Sequence, residues 1–251
     1  MNYPFFLFSF FLKKVNSVSL EFIRIFMKDN CILLYLLIVP MLVFSQKNTL
    51  RLGDPYADDQ LYVSVGYNQF FGQPTAIAKS SFSYAFSGGF LKDITLNKSG
   101  TITIAAGVGY GYDFFNHELR IDEVDGSTVF GSAKAISENI FTSHNIELPF
   151  EFRWRTSTAI KYGFWRVYSG IKVLYNLQNK FQYIDSAANQ VKLINVTAYN
   201  KLQYGLTMSA GYDAFNLHVF YGMTPVFKKA TINGEVVDSK IIKFGLIFYF
   251  L

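Results

Sequence analysis

Cysteine is almost missing from this chain. Cys31 stands alone, which excludes an intrachain disulfide. Charge is sparse too, at 16% of residues, against 18% aromatics. The net charge of +5 is not concentrated, because no Lys/Arg run exceeds two residues. Residues 1–45 supply Lys13, Lys14, Arg24 and Lys28 against Glu21 and Asp29, leaving 19 basic and 16 acidic residues in the remainder. Nucleic acid is therefore not an expected partner. The three histidines, His117, His144 and His218, lack the i,i+4 spacing of a metal-binding helix and have no thiolate to join them. No metal or other cofactor is expected. Long apolar runs are also lacking, apart from Cys31–Phe44. Its fourteen residues are too few for a comfortable transmembrane helix and suit the apolar core of a signal peptide. Val43 and Ser45 supply the small residues of a cleavage site after Ser45, and Met27-Lys28 supplies the charged start. The expected division is an upstream extension over 1–26, a signal peptide over 27–45, a periplasmic segment over 46–59 and a folded domain over 60–251. An uncleaved anchor helix is the competing reading of the apolar run.

What the chain has in quantity is alternation. In NIELPFEFRWRT (Asn145–Thr156) the even positions Ile146, Leu148, Phe150, Phe152 and Trp154 are apolar, while Glu147, Glu151, Arg153 and Arg155 occupy odd ones. The same period of two recurs over about 60–71, 82–94, 101–115, 164–177, 201–213, 216–226 and 240–251. The second of these is the least regular, around Gly88-Gly89. Eight such segments predict antiparallel sheet. Short connections (96–100, 157–162, 213–216) alternate with longer ones (72–81, 116–140, 178–200, 227–239). An all-β fold is expected: an eight-stranded antiparallel up-and-down transmembrane β-barrel, preceded by a signal peptide, with tight periplasmic turns and longer outer loops.

The two faces of each strand decide the environment. The apolar face carries about five large side chains per strand, too many for the inside of an eight-stranded barrel. The other face is Gly, Ser, Thr and scattered charge, which suits a crowded interior. Turned outward in water, the aromatic face would be a large aggregation-prone patch; in lipid it is what the bilayer requires, and closure leaves no unpaired edge. A soluble sandwich core is the competing reading. In the barrel, Glu147, Glu151, Arg153, Arg155, Arg166 and Lys172 form a lumen charge network that must neutralise itself. A turn over 157–162 predicts strand pairing with a constant index sum of 319. That register sets Trp154 opposite Trp165 at the membrane interface, Glu147 opposite Lys172, and Arg153 opposite Arg166 with Glu151 bridging both. A bulge at Pro149 would shift it.

Chemistry has one weak candidate. His117, Asp122, Asp125, Ser127, Ser143 and His144 lie in or beside the longest loop and contain the residue types of a Ser/His/Asp set. Polar loops contain such residues by chance, and no enzyme activity is expected.

Several segments resemble a known family. ELPFEFRWRTST (147–158), KYGFWRVYSGIK (161–172), NKLQYGLTMSAGY (200–212) and KFGLIFYFL (243–251) are similar to the PorT (SprT) family of Bacteroidetes outer-membrane barrels. KDITLN (92–97) also matches, with Thr95 where the family pattern has proline. The resemblance implies a non-enzymatic role in type IX secretion of sorting-domain cargo, and in gliding motility where that occurs. It implies other secretion components as partners, besides outer-membrane lipid. A structural or small-solute barrel is the alternative. The alternating aromatic end, Phe248, Phe250 and Leu251, resembles the C-terminal signal by which barrel proteins engage the outer-membrane assembly machinery.

Overall fold

The computed structural model describes residues 60–77, 81–132, 139–156, 164–185 and 189–250. The expected signal peptide, the 46–59 segment, the 157–162 turn and Leu251 lie outside these residues.

Thirteen strands follow in chain order: β1 (Gln60–Phe71), β2 (Tyr84–Thr95), β3 (Ile102–Asn116), β4 (Leu119–Val124), β5 (Ser127–Ser132), β6 (Asn139–Arg155), β7 (Trp165–Ile184), β8 (Gln190–Ile194), β9 (Leu202–Tyr212), β10 (Phe215–Gly222), β11 (Thr231–Ile232), β12 (Glu235–Val236) and β13 (Lys240–Phe250). Eight of them are the staves of a closed antiparallel barrel, in the order β6, β3, β2, β1, β13, β10, β9, β7, with β7 pairing back onto β6. Following the pairings once around from β1 returns to β1 about ten residues further on, a stagger that goes with strongly tilted strands.

Alternation sorts the side chains as their chemistry requires. On β6, Phe150 and Phe152 are each 51% exposed and Trp154 44%, whereas Arg153 and Arg155 are 0% exposed. Leu61, Val63 and Val65 face outward on β1 while Tyr62 is buried. Aromatic belts ring the outer face at both ends. Trp165 packs on Tyr212 and Phe215 on Phe248 at the short-turn rim; Tyr84 packs on Phe114, and Tyr112 on His144, toward the other. This is the distribution of a lipid-facing barrel wall.

The connections explain where the strands were hardest to delimit. Asp213-Ala214 is a two-residue hairpin, with Asp213 at φ 54°. The described part of the 116–140 stretch contains the β4–β5 hairpin, turned by Asp125-Gly126, both at positive φ. β11 and β12 form a second small hairpin around Asn233-Gly234. The strand expected to end near 177 continues to Ile184. A bulge intervenes, since Asn145 pairs with Asn176 but His144 with Gln178, so Leu177 is the extra residue. Inward phase passes from even to odd numbers there, which ends the simple period without ending the strand. Asn176 holds the bulge, its Nδ2 donating to the carbonyls of His144 (3.2 Å) and Gln178 (3.1 Å).

The register of β6 on β7 differs from the expectation by two residues. Trp154 pairs with Val167, Arg155 with Arg166, Pro149 with Lys172 and Glu147 with Leu174. Trp165 instead stands opposite Tyr212 on β9, and Trp154 opposite Ile102 on β3. The observed pairs have an index sum of 321 in place of 319, and Thr156 N–H donates to the Trp165 carbonyl at 3.0 Å. Pro149 does not shift this register. It is the β3 ladder that breaks between Ala106 and Gly109, opposite Pro149, and the bulge lies higher, at His144/Asn145.

Candidate functional site

The interior is filled in three tiers, each set by inward-phase residues of several staves. The first lies near the short-turn rim. Asp93 (β2) reaches across to β6, where its two oxygens take Arg153 Nη1 at 2.6 Å and Arg155 Nη1 at 2.8 Å. Arg153 Nε also donates to Glu151 at 2.9 Å, and its guanidinium lies 4.6 Å from the Tyr168 ring centroid and 5.5 Å from that of Tyr249. Arg155 Nε donates to the Gly100 carbonyl at 2.9 Å. Arg166 donates to the Asp213 carbonyl at 2.6 Å and stacks on Phe164. Two arginines with no exposure would be untenable without such pairing. The expected Glu151–Arg153 contact forms, and Asp93, which the expectation did not include, takes the place between Arg153 and Arg155.

The second tier is polar and tight. Lys172 Nζ meets Glu147 at 2.8 Å, a diagonal contact rather than the directly opposed pair expected. Tyr62 OH donates to the same carboxylate at 3.3 Å. Lys243 meets Asp113 at 2.6 Å, and Asn145 Nδ2 adds a 3.0 Å bond to that aspartate. The inward glycines of β3 make room for this. A Cβ on Gly109 would fall 2.1 Å from the Tyr62 hydroxyl, and one on Gly111 would fall 2.6 Å from Glu147 Oε1. A void of about 20 Å³, enough for one water, lies beside Ser64, Glu147, Lys172, His218 and Lys243.

The third tier, under the long loops, is apolar. Phe70, Phe115, Phe141 and Phe181 form a continuous stack, with adjacent centroids 4.3, 5.3 and 4.2 Å apart. Leu119, Ile121 and Phe130 from the β4–β5 hairpin pack on it, with Leu193 of β8 and Tyr199, Val226, Phe227, Ile232 and Val237 from the later loops. The outer loops are therefore folded down over the barrel mouth as a hydrophobic cap. Within the cap, His117 is buried and its Nδ1 accepts the Leu119 N–H at 3.0 Å. Burial pushes its pKa down to about 3. At the cap's edge Arg120 and Tyr183 both bond Asp122, and burial followed by the Asp122 hydrogen bond pushes the Tyr183 hydroxyl up to about 12.

The six residues of the Ser/His/Asp candidate are not brought together. Ser143 points inward and donates to Asp113, His144 lies on the outer face bonded to Tyr110, and His117 is enclosed in the cap. Asp122 is engaged with Arg120 and Tyr183, while Asp125 sits in the hairpin turn, two residues before Ser127 at the start of β5. Phe248 stands opposite Val63 and Phe215, and Phe250 opposite Leu61, where the last strand closes the barrel.

Sequence reasoning missed Asp93, Asp113, Lys243 and the lumen tyrosines Tyr62, Tyr168 and Tyr249. Asp113 continues the inward phase of Gly107, Gly109 and Gly111, so its position was legible. Asp93 was obscured by the irregular period at Gly88-Gly89.

The family comparison accords with this geometry. The family model for an outer membrane protein beta-barrel domain matches residues 44–228. A search of curated proteins found no match. Among solved structures, a mutant Rh. blastica porin is similar over 78% of this chain and 100% of its own, at 10% identity and a TM-score of 0.20. A triple mutant of the Rhodopseudomonas blastica porin has the same coverage, 8% identity and a TM-score of 0.20. Likeness at that level carries no structural argument. The family match spans well over half the chain and falls on the barrel just described: this protein belongs to the outer membrane protein β-barrel domain family.

Proposed function

We propose that this outer-membrane barrel is a non-enzymatic, non-conducting component of type IX protein secretion, of the PorT (SprT) kind, that acts through its surfaces and not through a pore. The observation that carries the reading is where the resembling segments fall. FRWR contributes Arg153 and Arg155, and FWR contributes Arg166, so the residues of the resemblance are those that fill the lumen floor. Above them lie the Lys172–Glu147 pair and the aromatic cap. A small-solute barrel needs an open lumen, and the filled interior disfavours that alternative. What a filled barrel offers partners is its outer wall and loops. The other secretion components are the expected partners, with the assembly machinery engaged only during insertion.

The test is deletion of the gene followed by profiling of exported proteins. Retention of cargo bearing a C-terminal sorting domain, restored by complementation, is the expected outcome. Normal export with altered solute permeability would replace this reading with the small-solute one; altered lipid A would point to an enzyme.

A further inference from the structure

The bulge in β7 also shapes the outer surface. Because inward phase changes at Leu177, Phe181 turns into the cap and Lys180 turns out. Lys180 stands opposite Ile194 of β8, and Gln182 opposite Lys192. The two lysines are thus diagonal neighbours on one outward face, about 7–8 Å apart along the backbone, within reach of a single phosphorylated headgroup. Lys192 is exposed and Lys180 half-exposed, and among the described residues neither has an ion-pair partner. The outward positions of β6, β7 and β8 on this wall, such as Thr142, Gln178 and Gln182, include no carboxylate among the described residues. Two other cations toward the long-loop end are paired: Arg120 meets Asp122 at 2.6 Å, and Lys240 meets Asp238 at 2.8 Å. Below the lysines on β7, Tyr175 is 48% exposed, as is Tyr110 two strands away in the same ladder row, and the two mark the membrane interface. Leu177, 50% exposed, adds an apolar contact between interface and lysines.

Cations just above an aromatic belt, on the long-loop side of an outer-membrane barrel, stand at the level of the outer-leaflet headgroups. We propose that the β7–β8 wall binds the phosphate groups of the outer leaflet's anionic glycolipid, with Lys180 and Lys192 as the phosphate ligands and Tyr175 and Leu177 against its acyl-chain boundary. The wall presents two cations and, among its described outward positions, no carboxylate, which is the complement of a phosphorylated headgroup.

The experiment titrates the full folded chain, in neutral detergent, with fluorescent bis-phosphorylated lipid A and with its dephosphorylated form. The phosphorylated lipid should bind more tightly, the more so at low salt, and Lys180→Gln with Lys192→Gln should weaken it about five-fold for each lysine. The exposed loop pair Lys228→Gln with Lys229→Gln should leave binding unchanged. Equal binding of the dephosphorylated lipid, undiminished binding by the Lys180/Lys192 variant, an equal loss in the loop variant, or displacement by an equal concentration of inorganic phosphate would each overturn the proposal.

Discussion

Asp93 is the residue on which the lumen floor turns. Its carboxylate receives two fully buried guanidinium groups, from Arg153 and Arg155, while Glu151 receives Arg153 Nε. Asp93→Asn keeps the shape and removes the charge that Arg153 and Arg155 share. Loss of about 3–5 kcal/mol is expected, larger than for Glu151→Gln, read by urea unfolding in detergent. A smaller effect at Asp93 than at Glu151 would refute the assignment. His117 makes a pH prediction whose sign follows from its burial. The folded state holds it neutral down to about pH 3, while the unfolded chain takes up a proton near pH 6.5. The unfolded state therefore binds more protons between those values, and stability falls as pH falls through that window. The loss should reach about 2 kcal/mol by pH 5. His117→Gln should remove this part of the pH dependence; an unchanged slope between pH 7 and pH 4 would show that another group controls it.

At the scale of elements, the decisive feature is one inserted residue. Leu177 separates a lower β7 that pairs with β9 from an upper β7 that pairs with β8. It also directs Phe181 to its place against Phe141 and Lys180 to the outer wall. Deleting Leu177 alone would remove the extra residue and leave Phe181 inward and Lys180 outward. Deleting Leu177 and Gln178 together leaves a continuous period of two in the opposite phase, turning Phe181 toward lipid and Lys180 into the aromatic stack. In the double deletion the barrel's lower half should still form, but the cap should not close. The expected signature is a heat-modifiable barrel whose outer loops become sensitive to protease added to intact cells, with the single deletion staying resistant. Wild-type resistance in the double deletion would mean that the cap does not depend on the phase change at the bulge.

For the whole molecule, three successive fillings make conduction the property to measure: an ion-paired floor, a polar middle with its own buried ion pairs, and an aromatic cap. Purified protein inserted into planar bilayers should give no stepwise ion current at either polarity. Regular channel openings in the wild-type protein would contradict a filled lumen, and with it the surface-acting role proposed above.

The period of two, the alternating loop lengths and the crowding of aromatics on one face already specified eight antiparallel strands closed in lipid. These signals are local: a side chain's face follows from its position in the strand, and the bilayer penalises any other arrangement. The inward charges Glu147, Glu151, Arg153, Arg155, Arg166 and Lys172 were legible for the same reason. Their partners were not. Whether Arg153 meets Asp93 or Arg166 depends on the register between strands far apart in sequence, and a turn centre displaced by one residue moves every opposed pair by two. The cap was likewise closed to a one-dimensional reading, because Phe70, Phe115, Phe141 and Phe181 come from four different strands, and Phe181 faces inward only because Leu177 breaks the period. Local pattern determined the wall and its environment; closure of the barrel, which brings distant inward residues into contact, decided what fills it.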